Sequence, residues 1–186
     1  MTDISSLILK IKECAKQKTV IVGVNGLDCA GKTTFAQKLD QMLNLKGMKT
    51  KLLHIDHYNN NDVQKKVYDA HKKGALTHDL LGLYYDKSIN YEDAKAAISL
   101  AGQNADVVIV EGVFLLKDIM AALMDVRVLL LVSTDVARDR YRGRKEIEQD
   151  SRPLSVFDDI WLPSYKRYNE EEMPEKKSDF IYYNDD

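Results

Sequence analysis

Apolar runs and amphipathic stretches alternate along this chain. Val20-Ile21-Val22-Gly23-Val24, Asp106-Val107-Val108-Ile109-Val110 and Val126–Val132 are apolar runs rich in Val, Ile and Leu, the second entered through Asp106 and the last interrupted by Arg127. Such runs read as strands buried on both faces. Lys51-Leu52-Leu53-His54-Ile55 and Asp179-Phe180-Ile181-Tyr182-Tyr183 supply a second and a fifth strand. Between them the spacing is helical. Ile4, Leu7, Ile8, Ile11 and Ala15 share a face over 3–17, with Thr2 or Asp3 placed to cap it. Phe35, Ala36, Leu39, Met42 and Leu43 share a face in a helix starting at Lys32 and stopping at Gly47. Asp62 is placed to cap a helix ending near Lys73 and Gly74. His78, Leu80, Leu81, Leu83, Tyr84 and Tyr85 follow without a clear period, so 57–90 reads as an irregular excursion over the top of the sheet. Further helices are predicted over 91–101, 117–124, from Ser133 or Thr134 to about Lys145, and around Val156, Ile160, Trp161 and Tyr165, with Pro174 as a break.

Strands alternating with helices predict an α/β fold with a doubly wound parallel sheet and right-handed crossovers. In such sheets ligands bind beyond the carboxyl ends of the strands. That rule singles out Gly26 to Thr33, Asp56, Glu111 and the segment after Val132.

Composition narrows the class. A chain of 186 residues is expected to form one domain and to bury roughly 70% of its extended surface, so it needs no disulfide staples. The two cysteines, Cys14 in a helix and Cys29 in a loop, fit a reducing compartment. The formal net charge of −2 gives no basic field for nucleic acid. No apolar run is long enough to span a membrane, and Met1-Thr2-Asp3-Ile4 lacks a signal-peptide pattern. A cytoplasmic protein with no nucleic-acid or membrane partner is the expectation.

The chemistry is densest after the first strand. Gly26-Leu27-Asp28-Cys29-Ala30-Gly31-Lys32-Thr33-Thr34 matches the phosphate-binding loop pattern in its required context, strand before and amphipathic helix after. Backbone N–H groups of such a turn, and the open N-terminus of the helix, face an anion. Lys32 adds a mobile cation, and the Thr33 hydroxyl is a ligand for Mg²⁺. Cys29 lies near that helix end and Lys32, which predicts a depressed thiol pKa; the alternative is an inert small residue.

Asp56 follows the second strand, where a carboxylate could take the proton of an acceptor hydroxyl or merely close a turn. Glu111 ends the third strand and could hold Mg²⁺ or be a simple strand-terminal acid. Arg138, Arg140, Arg142, Arg144 and Lys145 crowd one helix. Arg138 and Arg142 share one face, Arg140 and Arg144 another. One or two of them could form a lid over transferred phosphate, spanning about 137–153; a solvated basic face is the alternative. Tyr58, Tyr84, Tyr85 and Tyr91 could stack a ring-bearing acceptor or simply pack the excursion. His57 and His78 lack a third partner at metal-ligand spacing, so no zinc site is read.

Five stretches taken together resemble the uridine kinase-like branch of the P-loop kinases, which includes phosphoribulokinase and bacterial pantothenate kinase. They are the loop Gly26–Thr34, His54-Ile55-Asp56-His57-Tyr58, Val107–Phe114, Arg138-Asp139-Arg140-Tyr141-Arg142-Gly143-Arg144 and Ser178-Asp179-Phe180-Ile181. The resemblance runs from about Thr19 to Tyr183. It implies a five-stranded sheet in the order 2-3-1-4-5, use of ATP and Mg²⁺, and phosphorylation of a hydroxyl on a small molecule, with a nucleoside favoured. It implies that Asp56 is the catalytic base and that Lys32 and Thr33 with Gly26, Asp28, Cys29, Ala30, Gly31 and Thr34 hold the nucleotide. Thr33 matches the family's Mg²⁺ ligand, Glu111 its Glu-Gly strand end, and Arg138 and Arg142 its lid region. With the residues' own reading added, Thr33 and Glu111 are the metal candidates and Asp56, His57, Tyr58 and Tyr85 the acceptor candidates. The family usually has Asp-Asp-Phe-Tyr or Asp-Ser-Phe-Tyr after the second strand. Here Tyr58 takes the Phe place and Asn59 the Tyr place, and Asp28, Cys29 and Ala30 stand where Ser and Gly are usual.

Two other functions compete. A nucleoside monophosphate kinase needs arginines for the acceptor phosphate, and 57–105 contains none. A regulatory nucleotide-binding protein without kinase activity is compatible with the unusual loop.

Overall fold

The computed structural model describes residues 4–185. Its frame is one parallel sheet of five strands, β1 (Val20–Gly26), β2 (Thr50–His54), β3 (Val107–Gly112), β4 (Val126–Leu131) and β5 (Phe180–Tyr183), in the order β2-β3-β1-β4-β5. The register sets Val24 beside Glu111 and Val128, and His54 beside Glu111. The ends of β1, β2 and β3 therefore lie side by side, as a switch point in strand order requires for a ligand site.

Side-chain alternation divides the core between two faces. Val20, Val22 and Val24 of β1, Val107 and Ile109 of β3, and Val126, Val128 and Leu130 of β4 pack against α1 (Ile4–Cys14) and α2 (Lys32–Asn44). Val108 and Val110 of β3 face the other way. They meet a layer built from α3 (Asn61–Lys72), α4 (His78–Lys87), α5 (Tyr91–Gly102), α6 (Asp118–Ala121), α7 (Thr134–Glu148) and α8 (Leu162–Glu172). A short α9 (Pro174–Lys177) precedes β5. Both strand faces are covered, which is why β1 and β3 read as apolar runs up to Val24 and Val110, with Arg127 as the one interruption in β4. Each fully buried Val, Ile or Leu contributes about 1.5–3 kcal/mol relative to exposure. No described helix is long and apolar enough to cross a membrane.

The excursion is more regular than its sequence suggests. The structure forms α4 at 78–87, where no period was expected, with Thr77 Oγ1 accepting from the Leu80 N–H at 3.3 Å. This helix lies between α3 and α8, and it buries the adjacent residues Tyr84 and Tyr85. A helix buried on more than one side shows no single apolar stripe. The cap of α3 is Asn60, whose Oδ1 accepts from Val63 N–H, with Asp62 in the first turn. The predicted cap of α1, Thr2 or Asp3, lies outside the described residues. Residues 157–161 form a π-helical stretch running into α8, a feature found often at functional sites.

Candidate active site

The loop after β1 is held open by its own backbone. Cys29 and Gly31 are left-handed, with φ of 62° and 85°, while Ala30 N–H donates to Leu27 O at 3.1 Å. At Gly31 a Cβ would also meet the Asn184 amide at 2.4 Å, so any side chain there is strained and crowded. Gly31 caps α2 with no side-chain hydrogen bond, which leaves the first N–H groups of that helix for an anion. Lys32 is buried, and its Nζ donates to Leu27 O at 2.9 Å across the loop. Asn184, just beyond β5, braces the loop from behind by donating from Nδ2 to Ala30 O at 2.8 Å.

Glu111 sits at the end of β3 and accepts twice on one oxygen. Thr33 Oγ1 donates to Oε1 at 2.9 Å, and His54 Nδ1 lies 2.6 Å from the same atom. A hydroxyl and a nearly buried carboxylate next to an anion cradle are the oxygen donors that Mg²⁺ takes from a protein when substrate phosphates complete its shell. The residues fit that ion, and Thr33 and Glu111 are those that would hold it. Among the described residues no three His, Cys, Asp or Glu gather into a metal cluster of their own.

Asp56 is placed by Gly112. A Cβ at Gly112 would lie 1.8 Å from Ile55 Cγ2, so only glycine lets the buried Ile55 seat on the end of β3. That contact fixes the short 3-10 turn Ile55–Tyr58, and Asp56 in it faces two cavities. The first lies over the loop, among Lys32, Thr33, Glu111, Arg140 and Arg144. The second lies on the other side, with Asn59, Gln64, Tyr68, Tyr84, Arg152 and Trp161 around it. Asp28 and Arg144 also line both.

The arginine helix α7 presents the face opposite to the expected pair. Arg138 is tied to Asp158 at 2.8 Å and to Asp135 at 2.6 Å, and Arg142 to Asp139 at 2.6 Å, and neither lines the loop cavity. Arg140 and Arg144 do line it, and Arg140 Nη1 donates to Cys29 O at 3.3 Å. The helical spacing defined both faces correctly, but periodicity alone does not say which face turns inward.

Of the acceptor candidates, Asp56 lines the second cavity while His57, Tyr58 and Tyr85 do not. His57 is exposed, with its ring 5.3 Å from that of His54. The Tyr58 carbonyl accepts from Asn90 N–H at 2.7 Å. Tyr85 is buried edge-on to Phe114, under the Lys117 ammonium at 3.5 Å. Its neighbour Tyr84 faces the cavity instead, and Tyr84 Oη lies 3.4 Å from Tyr68 Oη, which accepts from Trp161 Nε1–H at 3.1 Å. Gln64, Tyr68, Arg152 and Trp161 carried no signal of their own in the sequence. Gln64 and Tyr68 are one helical turn apart on α3, which would have paired them once α3 was known to face the site.

Electrostatics correct one expectation. Burial pushes the Cys29 thiol up, and the nearby Arg144, Lys32 and Arg140 charges do not offset it. Burial thus disfavours the thiolate that those charges would favour. Burial also raises the Asp28 carboxyl; Lys32 pulls it down, Asp56 pushes it further up, and Arg144 and Arg152 pull it down. Arg152 is locked by Asp150, with Nε 3.0 Å from Oδ1 and Nη2 2.6 Å from Oδ2, and lies over the Trp161 ring at 4.9 Å.

The sheet order, the glycine-bounded loop entering α2 and the Thr33–Glu111 contact at adjacent strand ends decide the architecture. The chain has the fold of the P-loop kinases. Solved structures with this P-loop kinase fold include a candidate uridine kinase from Bacillus stearothermophilus, at 18% identity, a TM-score of 0.61, and coverage of 95% of this chain and 99% of that one. They also include a candidate fructose transport system kinase from Silicibacter sp. TM1040, at 15% identity, a TM-score of 0.69, and coverage of 98% and 100%. No protein-family model matches the chain, and no curated protein matches it. The P-loop kinase fold accounts for the sheet and the loop; the second cavity is lined by side chains of α3, α4 and the segment 152–161 as well as by Asp28 and Asp56.

Proposed function

We propose that the protein is an ATP-dependent phosphotransferase that moves the γ-phosphoryl group of ATP to a hydroxyl of a neutral small molecule, with a nucleoside favoured. The observation that carries this reading is the position of Asp56 at the junction of the loop cavity and the second cavity. A carboxylate there meets both the transferred group and the hydroxyl that attacks it.

The roles of the other residues follow from charge. The loop N–H groups and Lys32 hold the triphosphate. Thr33 and Glu111 would hold Mg²⁺, which would supply neutralisation of phosphate charge. Arg144 lines both cavities and so sits where charge on the transferring group can be stabilised. Asp56 accepts the acceptor's hydroxyl proton as its oxygen bonds to phosphorus and the bond to ADP breaks. The α7 region, about 137–153, acts as the lid over this assembly, and 57–90 as the acceptor-binding excursion of a single kinase domain.

Tyr68, Tyr84 and Trp161 on the cavity wall support a ring-bearing acceptor, since aromatic faces stack planar rings. A monophosphate acceptor is disfavoured. Arg152 faces the cavity, but its charge is matched by Asp150, while Asp28 and Asp56 present carboxylates to whatever enters. The test is ADP formation from MgATP with no acceptor, with a panel of nucleosides, and with the matching monophosphates. Nucleoside-dependent ADP with a phosphorylated product supports the reading. Acceptor-independent phosphate release alone would favour a regulatory nucleotide hydrolase.

A further inference from the structure

A carboxylate inside a phosphate-binding loop opposes the loop's own purpose, because the cradle is built to attract negative charge. Asp28 is such a residue, and it lines two cavities. It lines the loop cavity, and it also lines the cavity beyond Asp56, next to Tyr84, Ser88 and Arg152. No described residue donates a hydrogen bond to its carboxylate, and the same holds for Asp56. Two carboxylates therefore reach one cavity with their acceptor capacity unused; of the cations acting on Asp28, Lys32 and Arg144 also line the loop cavity, and Arg152 is paired with Asp150. The remaining polar wall is Asn59, Gln64, Ser88 and the paired Arg152, and the rest is aromatic (Tyr68, Tyr84, Trp161) or aliphatic (Ile89, Val113).

We propose that Asp28 is a second acceptor ligand, and that Asp28 and Asp56 together bind two hydroxyl groups of one neutral polyhydroxylated molecule, such as the diol of a sugar or of a nucleoside's ribose. Asp56 meets the hydroxyl that is phosphorylated. Asp28 meets a second hydroxyl that is not, and so fixes the first in line with the phosphoryl group. A carboxylate that accepts O–H donors is satisfied by such a ligand, whereas an anionic acceptor would face two like charges. Burial of the Asp28 carboxyl agrees with a group that waits for a hydrogen-bonding partner rather than for solvent. The inference rests on the kinase reading for what occupies the loop.

The test is binding, so that it needs no turnover. Uridine, 2′-deoxyuridine, 3′-deoxyuridine and ribose are titrated by calorimetry into the MgADP-loaded protein, wild type and Asp28→Ala, with Asp28→Asn as the size-preserving variant. The expected result is that at least one compound with two neighbouring hydroxyls binds the wild type. It should bind Asp28→Ala at least about tenfold more weakly, as the loss of a charge-assisted hydrogen bond requires. Removing one hydroxyl from the ligand should cost the wild type a similar factor and cost Asp28→Ala little, because the two deletions remove the same contact. Equal affinity for wild type and both variants overturns the proposal, as does a full hydroxyl effect persisting in Asp28→Ala. Failure of every polyol to bind also overturns it. Polyol binding that depends on Asp28, without any phosphorylated product, would sustain the Asp28 assignment and defeat the kinase reading. Phosphorylation that ignores Asp28 would do the reverse.

Discussion

Thr33 Oγ1 donates a 2.9 Å hydrogen bond to Glu111 Oε1, joining the start of α2 to the end of β3 across the mouth of the loop. His54 Nδ1 approaches the same oxygen at 2.6 Å. Two residues far apart in sequence thus present one oxygen-rich corner beside the phosphate cradle. Glu111→Gln keeps the shape and removes the charge that a hard cation prefers. The expected outcome is a rise in the Mg²⁺ concentration needed for half-maximal activity, with the melting temperature little changed. A Mg²⁺ titration of ADP formation checks it.

Arg144 and Arg142 separate the two faces of α7. Arg144 lines both cavities, while Arg142 is exposed and paired with Asp139. Arg144→Ala is expected to lower kcat by about 10²–10³, the cost of losing one preorganised group aimed at developing charge. Arg142→Ala should stay near wild type, since exposed pairs of this kind contribute about 0–1 kcal/mol. Steady-state kinetics on the two variants decides between the faces, and the reverse order of effects would return the role to the Arg138–Arg142 face.

Lys117 gives a pH signature. Its ammonium is buried, donates to Tyr85 O at 2.6 Å and sits over the Tyr85 ring at 3.5 Å. Burial outweighs the attraction of Asp86 and Glu172 and lowers its pKa from 10.5 to about 8. Between those values the unfolded chain binds more protons than the folded one, so this residue makes stability rise with pH across that window. Lys117→Met removes the effect. Urea unfolding of both proteins at about pH 7 and about pH 9.5 should show the wild type gaining on the variant at the higher pH. A constant difference would mean the lysine titrates normally.

The sequence showed most of the frame, because a doubly covered parallel strand leaves an unmistakable apolar run and the glycine-bounded loop has a fixed spacing. Val20–Val24, Val107–Val110 and Val126–Val132 all lie at or within a residue of their strands. What stayed hidden depends on three-dimensional neighbours. α4 was missed because α3 and α8 both cover it, so His78–Lys87 shows no single stripe. Which face of α7 lines the loop cavity is not legible locally: Arg138 finds Asp158, twenty residues on, a pairing that no local pattern announces, and Arg140 and Arg144 line the cavity. Tyr85 was preferred to Tyr84 for the same reason: adjacent helical residues diverge by about 100°, and only packing says which meets the cavity. Cys29 was expected to ionise easily from its nearby charges, and burial reversed the sign.

The central claim is that Asp56 stands between the nucleotide loop and the acceptor cavity and takes the acceptor's proton. The most direct measurement is kcat of Asp56→Asn on an accepted hydroxyl compound, with MgATP affinity titrated in parallel. The amide keeps the shape of the 3-10 turn and cannot take a proton. The account predicts a fall in kcat of about 10²–10⁴ with MgATP affinity retained. A variant that phosphorylates its acceptor at the wild-type rate would contradict it and leave Asp56 as a turn residue.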